Sequence, residues 1–255
     1  MSIAVDFDAS GQTVDAMAIR DHMVGRINDT PLERDPFCHI YLENIFPPAL
    51  YPRILANFPP REQYVPFNTR RYVRANGEST RDLLYLSREE LSKAPPSVAA
   101  IWQPIVRALT DEKLKRAMFA KLAPDLAERL QIAESAVPEV HCGYDVMLLR
   151  DIEDYRIKPH PDGPSKYITF QFYLPESDAN IDLGTSLYKS KKRLFGRSFE
   201  EVKRMPFKAN SAYAFVVSDP RHVKSWHGRE PLTGFKGVRN TLAVNFQKVT
   251  TRNYG

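Results

Sequence analysis

From Pro138 onward, apolar and polar residues alternate with a period of two in GYDVMLLR, YRIKPH, YITFQFYL, TSLYK, FKANSAYAFVVS and RNTLAVNFQKV. Each run is bounded by Gly, Pro, Asp or Asn. Successive side chains of a strand project to opposite faces, so this is the pattern of strands that bury one face. Several short strands so spaced predict two packed antiparallel sheets, a sandwich or jelly roll with a ligand cavity at one end. Within this half, SFEEVKRM carries Ser198 and Glu201 at the spacing of a capping box and predicts a helical interruption.

The first 137 residues have a different texture. AMAIRDHMVGRI, 16 to 27, has the spacing of an amphipathic helix, FCHIYLENIFP reads as a strand, and ALYPRILANF reads as a helix that NFPP stops. Residues 61 to 86 are polar and Arg-rich, with RRYVRA and RDLLYL as short strands about an Asn76-Gly77 turn, an arm or lid beside a site. Ser87 and Glu90 form a capping box that starts a helix, and apolar residues at helical spacing between 96 and 132 mark core-packing helices. The expected fold class is α+β. A jelly-roll core, a double-stranded β-helix over 138–249, carries a mainly helical supporting region, 1–137, on one sheet, in a single domain of 255 residues.

Composition removes several classes of function. Cys38 and Cys142 stand far apart in sequence, too few for a disulfide framework or a thiolate zinc site, and are expected as buried thiols. No apolar run approaches membrane-spanning length, and the N-terminus has acids where a signal peptide has basic residues, so the chain is expected to be cytoplasmic with no membrane partner. A net charge of +5 is modest, and clusters such as KSKKR at 189–193 read as solvated loops rather than a nucleic-acid surface.

Chemistry concentrates just ahead of YITFQFYL. His160 and Asp162 are two residues apart, a spacing that lets an imidazole and a carboxylate converge. Two histidines and one carboxylate on one side of a metal leave open positions, the arrangement of non-haem Fe(II) oxygenases. The third ligand is His222 or His227. His222 lies in the turn-like SDPRHVK, whereas His227 is followed by Gly228, which permits close backbone approach, and the context favours His227. Further on, Arg239 shares a strand face with Thr241, Ala243 and Asn245; a buried guanidinium there needs a partner, which a dicarboxylate supplies. Thr169, Gln171 and Tyr173 form a polar row opposite Ile168, Phe170, Phe172 and Leu174, expected to line a cavity.

The order HPD, ITFQFYLP, GTSLY, FKANSAYAFVVS, SWHG and VRNTL, over roughly 140 to 247, resembles the 2-oxoglutarate- and Fe(II)-dependent dioxygenases of the prolyl-hydroxylase-like group. The resemblance implies that His160, Asp162 and His227 hold iron, that Arg239 clamps the distal carboxylate of 2-oxoglutarate, and that the Tyr173 hydroxyl lies beside it. It implies O2 as co-substrate, ascorbate as an aid in vitro, and hydroxylation of a C–H bond with release of succinate and CO2. Arg150 departs from the group, in which a tyrosine near the other carboxylate is common at this position. It is expected to bind the cofactor, to grip an anionic substrate, or to pair with Asp151 or Asp154. A polar or acidic small molecule is the expected substrate. A protein side chain, or a non-redox jelly-roll module that binds metal or sugar, are the rival readings.

Overall fold

The computed structural model of the chain describes residues 14–69, 72–194, 196–217, 224–249 and 252–254. The expectations placed on the first thirteen residues and on His222 lie outside these. The described residues form six α-helices and eleven strands. The helices are α1 (Ala16–Asp29), α2 (Tyr51–Ala56), α3 (Arg88–Ser92), α4 (Pro96–Leu109), α5 (Glu112–Lys121) and α6 (Ala123–Leu130). Local chemistry starts several of them: Asp15 accepts from the Met17 amide at 2.9 Å, Asp111 from Lys113 at 2.8 Å, and Ser87 from Glu90 at 3.3 Å.

The strands are β1 (His39–Glu43), β2 (Val65–Pro66), β3 (Arg81–Tyr85), β4 (Gly143–Asp151), β5 (Ile157–His160), β6 (Lys166–Tyr173), β7 (Ser186–Lys192), β8 (Arg197–Arg204), β9 (Ser211–Val216), β10 (His227–Arg229) and β11 (Arg239–Gln247). They form a seven-stranded sheet in the order β1-β9-β6-β11-β4-β3-β2 and a four-stranded sheet in the order β5-β10-β7-β8. Every pairing is antiparallel.

Two antiparallel sheets with helices agree with the α+β expectation. The large sheet, however, does not stop at residue 138: β1, β2 and β3 come from the front half of the chain. SFEEVKRM is also not helical. It is β8, which pairs along its length with β7 in a hairpin. The Ser198–Glu201 spacing is a local signal, and the ladder to β7 outweighs it, since strand pairing satisfies the backbone groups that a single helical turn leaves open.

The period of two is realised on the central strands. Ile168, Phe170 and Phe172 of β6 and Leu242, Val244 and Phe246 of β11 are fully buried against the helices, in one core with Trp102, Leu114 and Phe119. Each such side chain contributes about 1.5–3 kcal/mol through burial. The opposite faces of the same strands carry Thr169, Gln171, Thr241 and Asn245 and turn away from this core. No described helix is long and apolar enough to cross a membrane.

Candidate metal centre and cavity

β5 ends at His160, and β10 begins at His227, its register partner. The strands meet closely because Gly228 has no side chain: a Cβ there would stand 2.7 Å from the Ile157 carbonyl oxygen and 3.1 Å from the Pro159 nitrogen. The imidazole centroids lie 4.4 Å apart. Asp162 Oδ1 is 3.8 Å from His160 Nε2 and 3.9 Å from His227 Nε2. One ligand atom from each of the three residues falls within 4.8 Å of the others.

Each histidine is oriented by its other nitrogen. His160 Nδ1 donates to the Lys158 carbonyl at 3.0 Å and His227 Nδ1 to the Ser225 carbonyl at 2.9 Å. A carbonyl only accepts, so the proton resides on Nδ1 and the Nε2 lone pairs turn toward Asp162, the tautomer that metal ligation requires. The Asp162 carboxylate is held in turn by Thr169 Oγ1 at 2.5 Å and Lys166 Nζ at 3.2 Å. Burial works to raise its pKa, but the Lys166 charge, the attraction of the adjacent imidazoles and the Thr169 hydrogen bond overcome this and hold the carboxyl well below its ordinary range. Burial lowers the His227 pKa against the pull of Asp162, which favours the neutral ring. The donor set, two neutral imidazoles and one carboxylate, fits a divalent first-row metal such as Fe(II).

The three residues open onto a cavity of about 280 Å³ between the sheets. Its floor is a polar row on the inner face of the large sheet. Gln171 Nε2 donates to Thr241 Oγ1 at 3.0 Å, and the Tyr213 hydroxyl bridges Gln171 Oε1 at 2.5 Å and Thr185 Oγ1 at 2.9 Å. Arg239, 1 % exposed, closes the far end. Its Nη1 donates to Asp151 Oδ2 at 2.8 Å, its Nε to the Leu183 carbonyl at 2.6 Å, and its Nη2 reaches Thr185 Oγ1 at 3.5 Å.

Asp151 is shared. It stands in register with Arg81 on one side and Arg239 on the other, and Arg81 donates to both its oxygens, at 2.5 and 2.9 Å. Burial disfavours the charged Arg81, yet the Asp151 charge, the neighbouring Tyr155 and the hydrogen bonds to Asp151 together outweigh it, and the pKa is raised. A third guanidinium, Arg229, lines the same cavity from β10; burial and then the Arg239 charge lower its pKa. The segment between β2 and β3 supplies Phe67 and Tyr72, which with Tyr85 of β3 and Met147 and Leu149 of β4 form an aromatic and apolar wall. Tyr72 stacks on Tyr155 with centroids 5.8 Å apart, and Arg81 lies over the Tyr155 ring at 4.2 Å.

The structure thus gathers His160, Asp162, His227 and Arg239 around one cavity. Tyr173 lies beside Arg239: its hydroxyl accepts from the Thr185 amide at 2.8 Å, and its ring lies under the Arg239 guanidinium at 5.3 Å, outside the cavity lining. Arg150 needs correction. Leu149 and Asp151 take the inner face of β4, so Arg150 between them points to the opposite one. There it sits 3.6 Å from Asp82 and over the Tyr64 ring at 5.3 Å, away from the cavity and from Asp151 and Asp154 alike. Asp151, Arg81, Arg229 and Tyr213 were not among the sequence candidates. A signal existed for Arg229, which follows His227 by two residues and so shares its face; Arg81 reaches the site only through the pairing of β3 with β4, which leaves no local trace.

No protein-family model matches the sequence, and comparison with curated proteins gave no match. Among solved structures, the chain is similar to a prolyl hydroxylase from Trichoplax adhaerens in complex with a hypoxia inducible factor peptide, with TM-score 0.53 and 8% identity over 91% of this chain and 90% of that one. It also aligns with a prolyl-4-hydroxylase from Pseudomonas putida, TM-score 0.48, 13% identity, over 90% and 99% of the two chains. A 2OG-Fe(II) oxygenase family oxidoreductase from Burkholderia pseudomallei aligns with TM-score 0.46 and 12% identity over 92% and 93%. At these identities the likeness is one of fold, and it rests on the first of the three.

Proposed function

We propose that this chain is a 2-oxoglutarate- and Fe(II)-dependent oxygenase that hydroxylates a C–H bond of a small molecule, in one catalytic domain built on a jelly roll. The observation that carries this reading is the convergence of His160, Asp162 and His227 donor atoms within 4.8 Å on the wall of a cavity that Arg239 closes. The likeness of fold to the Trichoplax prolyl hydroxylase supports it.

Bound at the three ligands, Fe(II) with 2-oxoglutarate and O2 supplies the oxidation of a C–H bond, with loss of CO2 and formation of succinate. The protein's own share is to bind, orient and exclude water. His160 and His227 present Nε2 because backbone carbonyls hold Nδ1. Thr169 and Lys166 keep Asp162 ionised and directed. Arg239 receives the terminal carboxylate of 2-oxoglutarate beside Thr185, on the platform of the Tyr173 ring. No side chain is assigned as general acid or base.

A small molecule is favoured as substrate because Phe67, Tyr72, Arg81 and Tyr85 from the arm line the same cavity as the three ligands and narrow the space beside them. The guanidiniums and the polar floor suit a polar or acidic compound. The test is a screen of small acids, and of proline-containing peptides alongside them, for a mass gain of one oxygen that requires both Fe(II) and 2-oxoglutarate. Gain on a small molecule supports the reading, gain on peptides alone transfers it to a protein side chain, and metal or sugar binding without any turnover of 2-oxoglutarate leaves the non-redox module.

A further inference from the structure

Arg239 is charge-compensated before any ligand arrives, because Asp151 accepts from it and from Arg81. Arg229 is in a different condition. Its side chain is 8% exposed, it lines the cavity, and its Nε is buried with no hydrogen-bond partner among the described residues. A charged donor left in that state raises the free energy of the folded chain and is stabilised by any acceptor that reaches it. Its one carboxylate contact among the described residues, Nη1 to Glu230 Oε2 at 2.9 Å, goes to a residue 41% exposed that also serves Arg204 and the Tyr188 hydroxyl. Its contact with the Gly184 carbonyl is long, 3.4 Å.

The two guanidiniums are fastened to one stretch of backbone. Arg239 donates to Leu183 O and reaches Thr185 Oγ1, while Arg229 donates to the intervening Gly184 O. That stretch is fixed: a Cβ on Gly184 would fall 1.5 Å from the Met205 carbonyl oxygen, so the backbone there is pressed against the neighbouring chain segment with no room to shift.

We infer that Arg229 and Arg239 together seat a single carboxylate, the terminal one of the dicarboxylate co-substrate, with Arg229 Nε as the donor that the ligand satisfies. The inference rests on the oxygenase reading above. It divides the labour between the two residues: Arg239, anchored by Asp151, fixes the position, and Arg229 supplies the charge that no buried carboxylate has already neutralised.

The test measures binding to the 255-residue chain loaded with Mn(II), so that no turnover intervenes, by titration calorimetry with 2-oxoglutarate and with 2-oxobutanoate. The second acid keeps the 2-oxo acid end and lacks the terminal carboxylate. Arg229→Met should weaken 2-oxoglutarate by about tenfold or more and leave 2-oxobutanoate within about twofold, with Arg229→Lys between wild type and Arg229→Met. The lysine variant retains the charge beside Glu230 and guards against a folding defect. Wild-type affinity for 2-oxoglutarate in Arg229→Met, with loss in Arg239→Met, would overturn the inference; so would an equal loss of both acids in a folded Arg229→Met. A wild-type chain that binds 2-oxoglutarate no better than 2-oxobutanoate would instead sink the oxygenase reading itself, and this inference with it.

Discussion

Arg239 donates to Asp151 Oδ2 at 2.8 Å while Arg81 grips both oxygens of the same carboxylate from the other side, so one fully buried anion is shared by guanidiniums on the two strands that flank its own. Removing it leaves two buried positive charges facing each other. Asp151→Asn should therefore cost about 3–5 kcal/mol of stability, the range for breaking a buried ion pair. Urea unfolding checks this. A loss below about 1 kcal/mol would mean that solvent reaches the cluster and screens it.

The metal centre depends on its supports as well as its ligands. Metal content measured after loading with Fe(II) or Mn(II) should fall to background in His160→Ala, Asp162→Ala and His227→Ala and hold in His222→Ala. Thr169→Val removes the 2.5 Å hydrogen bond to Asp162 without touching a ligand and should lower metal affinity by about 10–100-fold. Retention of metal in His227→Ala with loss in His222→Ala would exchange those two residues.

Arg150 lies on the face of β4 away from the cavity, beside Asp82. Arg150→Met should leave 2-oxoglutarate affinity within about twofold of wild type, as expected for a charge outside the ligand's reach. A loss of affinity comparable to that of Arg239→Met, measured in the same titration, would contradict its placement.

The two cysteines should be silent in the folded protein. Burial, aided by the Asp125 charge, pushes the Cys38 thiol up to about 12, and burial pushes Cys142 up to about 11. The thiolate is the reactive form, so a thiol reagent at pH 8 should label neither until the chain is unfolded in guanidinium, when both react. The sign of the linkage follows: the folded state keeps these protons above the ordinary thiol value of 9.0, so their contribution to stability is complete below that pH and declines as the pH rises through about 9 to 12.

Much of this site is legible in the sequence because strands write their faces into alternate positions. Thr169 and Gln171, with Arg239, Ala243 and Asn245, line the cavity as the period of two predicts, and Ile168, Phe170, Leu242 and Val244 pack beneath the helices. The errors share one cause, which is that partners are chosen by tertiary pairing. Ser198 and Glu201 carry a helix-start spacing, yet β7 lies alongside and draws the segment into a hairpin. Arg150 and Asp151 are neighbours in sequence but belong to opposite faces, so the residue that anchors the cavity's guanidiniums is the aspartate. Arg81 becomes part of the site through the register of β3 with β4, seventy residues away in the chain.

The central claim is that His160, Asp162 and His227 hold an iron that consumes 2-oxoglutarate. Succinate formed from 2-oxoglutarate by the purified chain with Fe(II), O2 and ascorbate measures it most directly, since slow turnover without a hydroxylated product still reports the reaction. Succinate above the protein-free background is expected for wild type and none for Asp162→Ala or His160→Ala. Succinate formation that is absent from wild type, or equal in wild type and both variants, would contradict it.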